Sequence, residues 1–124
     1  MKLLTLRGVI AAHDRQIEEH GGGTGMRDQG LLESALGRVN MHVEYDPDDT
    51  DIFFVAAVYL SGIAKAHAFA DGNKRTAIVA ALGFLRLNKT EIRITPAEIL
   101  ALAQGAATSL SLDEIADWFR TRAR

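Results

Sequence analysis

Two strongly apolar stretches flank a short polar segment, and this arrangement constrains the fold more than any other feature of the chain. The first stretch runs from Ile52 to Ala64 and the second from Ala77 to Leu85. Apolar residues occupy nearly every position of both, and a helix that is apolar all round is a buried one. Because the link between them is short, we predict a helical hairpin at the centre of the domain.

Helical periodicity and start signals predict four further helices around this hairpin. The first begins near Thr5 and stops at the glycines that start at Gly21, and the second follows Asp28, a suitable N-cap. Thr95 and Ser111 each begin a capping box, in which a Glu follows three residues later. These signals mark the starts of the last two helices.

The remaining segments are predicted to lack helix. Residues 40–51 contain Pro47 and several acidic side chains, so we expect a loop there, and residues 91–94 suggest a brief extended segment. The sequence therefore predicts an all-α fold of about six helices with little or no strand. With 124 residues and no linker, we expect residues 1–124 to form one domain.

Composition limits the classes of function. A net charge of -2 gives no basic field for nucleic acid, so we expect no direct nucleic-acid binding. The absence of cysteine excludes disulfides, thiolate zinc sites and cysteine nucleophiles. The most apolar stretch is shorter than the roughly 20 residues that a bilayer requires. Lys2 and Arg7 bring charge too early for a signal peptide, so we expect a cytoplasmic protein with no membrane association.

The polar segment from His67 to Arg75 carries the candidate chemistry. Gly72 stands at the start of the second hairpin helix, where free backbone N–H groups and the helix dipole form an anion site. Glycine there lets the backbone bend and lets a bulky anion approach. Lys74 and Arg75 add positive charge in a first turn that the dipole disfavours for cations, which itself indicates a bound anion.

Three other residues of the segment complete the candidate active site. His67 suits the role of a base near neutral pH, Asp71 can hold Mg²⁺, and Asn73 can donate an amide hydrogen bond. Phe69 is expected to point inward and anchor the turn. Together these groups suit attack by a hydroxyl on a phosphorus of a nucleoside triphosphate.

Each residue alone also has a structural explanation. Asp71 could simply cap the helix, and His67 could be a loop histidine whose ring bonds to backbone. Among the other histidines, His13 lies on an apolar helix face and is expected to be a satisfied core residue, whereas His20 and His42 are expected to be solvated. The glycine-rich run 21–25 lacks the ending of a P-loop and is interpreted as a turn.

The segment His67-Ala-Phe-Ala-Asp-Gly-Asn-Lys-Arg75 resembles the signature of the Fic/Doc superfamily, His-x-Phe-x-(Asp/Glu)-(Gly/Ala)-Asn-(Gly/Lys)-Arg. Lys74 and the following Thr76-Ala77 resemble the Doc branch, the toxins of bacterial toxin–antitoxin pairs. Residues 25–36 also resemble the stretch near the start of Doc-like proteins. Length and helix order agree with that family, so the resemblance implies the Fic/Doc fold over the whole chain.

The resemblance implies a function and a role for each residue. Doc transfers the terminal phosphate of ATP to a threonine of elongation factor Tu, which stops translation. By this resemblance His67 is the general base, and Asp71 serves Mg²⁺ or the nucleotide. The catalytic set also includes Arg75, which binds nucleotide phosphates. The other residues that the resemblance assigns to nucleotide binding are Lys65, Gly72, Asn73 and Lys74. The implied partner is a Phd-like antitoxin, whose disordered segment folds on binding.

Two alternatives remain open. Typical Fic proteins transfer AMP to a protein hydroxyl, and they carry a second Arg where this chain has Ile78, a departure that favours the Doc chemistry. Position 72, however, is Gly as in Fic, where Doc has Ala. The second alternative is a catalytically silent module that keeps the fold only to bind a partner.

Overall fold

The computed structural model describes all 124 residues. It contains six α-helices and no β-sheet, which confirms the predicted all-α fold. Two isolated β-bridges occur, between Met26 and Phe69 and between Ile92 and Ala123, and the second accounts for the extended segment expected at 91–94. The helices are α1 (Leu6–His20), α2 (Gln29–Tyr45), α3 (Ile52–Ala66), α4 (Asn73–Leu87), α5 (Pro96–Thr108) and α6 (Leu112–Arg122).

Helix α3 forms the centre of the molecule. Its residues are buried without interruption from Val55 to Ala64, and it packs against α2, α4, α5 and α6. Small residues permit this close packing, since a Cβ placed on Gly62 would already lie 3.4 Å from the Cβ of Ala35 on α2. The predicted helical hairpin of α3 and α4 is confirmed, but only α3 is buried on all sides, because Val79 of α4 is exposed and Leu82 is half-buried. None of the helices is long and apolar enough to cross a membrane.

Side-chain caps begin five of the helices. In each case the capping oxygen accepts a hydrogen bond from the main-chain N–H three residues later, as predicted for the second helix and the last two. The capping residues are Thr5, Asp28, Asp51, Thr95 and Ser111, and the last two form complete capping boxes. Helix α4 differs, because no side chain caps its start.

The predicted loop 40–51 is wrong in its first half, since α2 continues to Tyr45. Residues 40–45 contain no helix breaker before Pro47, and Val43 packs on the core. The buried hydroxyl of Thr50 lies 2.6 Å from the carbonyl oxygen of Asp46 and 3.3 Å from that of His42, so it completes the helix end. His42 was expected in solvent but is half-buried, with its ring edge-on to Phe54 at 5.1 Å.

Replacing Thr50 by Val tests this account of the end of α2. The change keeps the shape but removes the hydroxyl, and we expect a loss of about 1 kcal/mol in the free energy of unfolding. Chemical denaturation measures this loss, and amide exchange at Asp46 should accelerate. The control is Thr121→Val, because its exposed hydroxyl bonds the Trp118 carbonyl and should contribute less than about 0.5 kcal/mol. Equal losses in both variants would contradict the account.

Candidate active site

The turn that joins α3 to α4 is bent at both ends by left-handed residues. His67 ends α3 with φ 51° and ψ 39°, and Gly72 precedes α4 with φ 75° and ψ 20°. Glycine takes this conformation freely, whereas for a residue with a Cβ it costs roughly 1–2 kcal/mol. The cost at His67 places backbone strain on the residue predicted to be the base, which is where functional sites commonly hold it.

Asn73 braces the turn from within. Its Oδ1 accepts the Phe69 N–H and its Nδ2 donates to the Phe69 carbonyl, both at 3.1 Å. The outer side of the turn pairs with the segment before α2, where the N–H groups of Arg27 and Asp28 donate to the Ala68 carbonyl at 2.7 and 2.9 Å. The side chain of Asn73 therefore holds the backbone, which sequence reasoning did not anticipate.

Phe69 and His13 fix the turn against α1. The Phe69 side chain is 2% exposed, which confirms that it points inward, and its ring stacks on that of His13 with centroids 3.8 Å apart and planes 6° apart. His13 Nε2 lies 2.7 Å from the carbonyl oxygen of Asp71. The prediction that His13 is a satisfied core histidine is thus confirmed, and the group that satisfies it belongs to the candidate site.

The start of α4 has unpaired donors. Gly72 is the N-cap and has no side chain, and the main-chain N–H groups of residues 73–75 find no acceptor within the chain. The other helices fill this position with a carboxylate or hydroxyl oxygen. With the helix dipole, the free donors form a site for an anion that the chain itself does not supply.

Asp71 does not cap α4. Its Oδ1 accepts the N–H of Gly72 at 2.8 Å and its Oδ2 that of Gly23 at 3.4 Å. These two bonds, that of Gly72 first, lower the pKa of the Asp71 carboxyl below its ordinary value. Because folding lowers this pKa, the carboxylate's bonds stabilise the turn at neutral pH and are lost only as the pH falls through the lowered value.

The predicted residues meet in one open cleft. A space of about 440 Å³ lies between the turn and α5, and Leu100 forms its far side. Arg75 is exposed and has no hydrogen-bond or ion-pair partner in the chain, whereas Lys74 Nζ donates to Oε1 of Gln104 at 2.7 Å. The predicted site residues that line the cleft are His67, Asp71, Gly72, Asn73, Lys74 and Arg75. Lys65 is exposed on the last turn of α3 but does not line it.

The residues fit a magnesium ion only in a limited way. No group of three or more His, Cys, Asp or Glu side chains is placed to hold a metal, so Asp71 would be the one carboxylate ligand. That set suits Mg²⁺, which proteins commonly bind through one or two carboxylates together with substrate phosphates and water. A nucleotide would therefore have to bring the remaining ligands.

Sequence reasoning missed the contribution of α5. Leu100 forms one side of the cleft although it is 74% exposed, and Gln104 holds Lys74. An apolar groove of about 570 Å³ adjoins the cleft between α4 and α5 and includes Ile78, Val79 and Leu82. Helical periodicity gives each residue's angle around its own helix but not which helix it faces, so no sequence signal could have placed these residues at the site.

The fold and the cleft together define a helical protein with an uncapped helix start beside an exposed histidine. A family model described as the Fic/DOC family matches residues 3–85, which include the whole turn. The chain is 42% identical to "Protein kinase doc" of Escherichia phage P1 over 121 residues, 97% of this chain and 94% of that protein. It is 39% identical to "Toxin Doc" of Mycolicibacterium smegmatis over 72 residues, 58% of this chain and 55% of that one.

The chain therefore belongs to the Fic/DOC family. Both relatives carry the name Doc, which confirms the predicted resemblance to the Doc branch.

Replacing Asn73 by Ala should loosen the turn and with it the anion site. We expect the free energy of unfolding to fall by about 1–2 kcal/mol and the affinity for ATP with magnesium to fall about tenfold or more, because the donors lose their alignment. Asn88→Ala is a matched control, since the Asn88 side chain bonds the main chain of Lys2 and Phe84 on the far end of α4. It should lose similar stability and keep ATP affinity. Calorimetric titration decides, and equal affinities in the two variants would contradict the bracing role.

Proposed function

We propose that this chain is the toxin of a toxin–antitoxin pair and a protein kinase of the Doc type, acting in the bacterial cytoplasm. It transfers the γ-phosphate of ATP to a threonine or serine hydroxyl of a translation factor, with elongation factor Tu as the expected target. The relative of phage P1 is named a protein kinase, and the one from M. smegmatis a toxin. The observation that carries the proposal is the uncapped start of α4 within a cleft that also contains His67 and Arg75.

The chain's own residues supply most of what such a transfer needs. A hydroxyl oxygen of the target forms a bond to the γ-phosphorus, and the bond from that phosphorus to the oxygen of ADP breaks. His67 takes the hydroxyl proton, and its ring is exposed in the cleft without a hydrogen-bond partner in the chain. The free N–H groups of residues 73–75 and the guanidinium of Arg75 stabilise the phosphate oxygens.

The other predicted site residues act in narrower ways. Asn73 contributes its main-chain N–H, because its side chain is engaged with Phe69. Lys74 donates a hydrogen bond to Gln104 and adds positive charge at the cleft. Lys65 is exposed outside the cleft and adds positive charge only at a distance. When Mg²⁺ is bound with the nucleotide, Asp71 would hold it and the ion would neutralise phosphate charge.

One observation favours phosphate transfer over AMP transfer, and a second removes an argument for AMP transfer. Ile78 stands where Fic enzymes have a second Arg, and it is 3% exposed with its side chain in the apolar groove. Gly72, the Fic-like residue, has a local reason instead, since its φ is 75° and an added Cβ would lie 3.3 Å from Cδ1 of Ile17. The glycine is therefore explained by the backbone and gives no support to AMP transfer.

The expected antitoxin has a suitable surface on this chain. The apolar groove adjoins the cleft and includes exposed Leu100 and Val79, with Lys74 and Arg75 at one end. An amphipathic segment that folds on binding would bury these side chains. We propose this groove as the place where a Phd-like antitoxin binds.

Labelled ATP tests the chemistry. Incubation with elongation factor Tu and ATP labelled at the γ-phosphate should label the target, whereas ATP labelled at the α-phosphate should not. Mass spectrometry should find a gain of one phosphate. A gain of one AMP would refute the kinase assignment, and no label from either nucleotide would favour the silent binding module.

His67→Gly should separate activity from stability. Loss of the base should lower transfer by about two to four orders of magnitude. Relief of the left-handed strain should raise the free energy of unfolding by about 0.5 kcal/mol, after allowing for the flexibility of glycine in the unfolded chain. The control is Lys89→Gly, because Lys89 also has a positive φ, 64°, but lies beyond the far end of α4. It should gain similar stability with unchanged transfer, and a fully active His67 variant would exclude this residue as the base.

A further inference from the structure

His13 on α1 is the only side chain from outside residues 67–75 that hydrogen-bonds the main chain of that segment. It is 1% exposed, and its Nε2 lies 2.7 Å from the carbonyl oxygen of Asp71. A carbonyl oxygen can only accept, so Nε2 must carry the hydrogen. The stacked ring of Phe69, 3.8 Å away and nearly parallel, fixes the plane of the imidazole and hence the direction of this donor.

The carbonyl that His13 holds belongs to the peptide leading into α4. That peptide joins Asp71 to Gly72, the left-handed N-cap. Because a trans peptide is planar, holding its oxygen toward α1 sends the Gly72 N–H the opposite way, where it donates to Asp71 Oδ1 at 2.8 Å. The free N–H groups of residues 73–75 begin at the next peptide.

We infer that His13 is a positioning residue for the phosphate site, acting through the carbonyl oxygen of Asp71. It does not line the cleft and would not touch a bound nucleotide. Its part is to keep the first turn of α4 aimed at the anion. This inference rests on the proposed function of the cleft as a nucleotide site, and it adds a residue of α1 to the machinery.

A packing role makes a different prediction from a positioning role, and two substitutions separate them. His13→Gln places an amide donor near the position of Nε2 but loses the aromatic ring. His13→Phe keeps a flat ring on Phe69 but loses the donor and leaves the Asp71 carbonyl unpaired. If the hydrogen bond matters, Gln rescues function and Phe does not; if stacking matters, the order is reversed.

The experiment measures ATP–magnesium affinity by calorimetry and γ-phosphate transfer to elongation factor Tu under single-turnover conditions. We expect His13→Phe to bind ATP about tenfold more weakly and to transfer more slowly still, since it loses one hydrogen bond that aligns the donors. His13→Gln should stay within about threefold of the unaltered chain in affinity. Arg75→Ala serves as the reference for a lost phosphate contact. Melting temperatures show that each variant is folded.

The outcomes are distinct. A Phe variant with unaltered affinity and rate, or a Gln variant impaired as much as Phe, overturns the inference. If His13→Phe fails to fold, His13→Asn replaces it, because its shorter side chain stops short of the Asp71 oxygen and should be impaired where Gln is not. If the unaltered chain binds ATP but transfers nothing, the proposed kinase function fails, and the affinities of the variants still decide the role of His13.

Discussion

The burial of α3 on all sides is the constraint on which the rest of the structure depends. Four helices pack around it, and it has almost no surface of its own between Val55 and Ala64. Its carboxyl end therefore has a fixed position, and the turn that follows starts from a rigid base. Hydrogen bonds and stacking then determine the path of that turn, through Asn73 from inside and through His13 and residues 25–28 from outside. The site is thus a short, strained segment attached to the fixed end of the buried helix α3.

The second constraint is electrostatic. In each of five helices a side chain accepts one of the first N–H groups, but α4 has no such cap and carries two cations in its first turn. Both features oppose the stability of an isolated helix. They persist because α4 is packed tightly enough against α3 and α1 that its form does not depend on local preference. The core contacts of α3 and α4 therefore support a start of α4 that local helix preferences would disfavour.

Much of the fold could be predicted because its signals are local. The apolar runs of α3 and α4, the start of α1 near Thr5 and the caps at Asp28, Thr95 and Ser111 are each local signals, and the structure has a helix at each of them. The prediction for the end of α2 was wrong because Thr50, which lies beyond the helix, stabilises its last turn. The motif of the turn predicted the residues that line the cleft. It did not predict three hydrogen bonds, because these depend on which side chains come together in space: Asn73 with Phe69, His13 with Asp71 and Lys74 with Gln104. Residue type and spacing do not specify such meetings.

The cleft and the apolar groove have side chains in common. Lys74, Arg75 and Leu100 line both, so the two are adjoining parts of one surface. A molecule in the groove and a molecule in the cleft would each change the contacts open to the other, and their binding free energies would be coupled. Such coupling is reciprocal by thermodynamic necessity, so a partner that weakens nucleotide binding is itself bound more weakly by the nucleotide-loaded chain. The nucleotide level of the cell would then enter the balance between free and partner-bound protein, with no second conformation of the fold required.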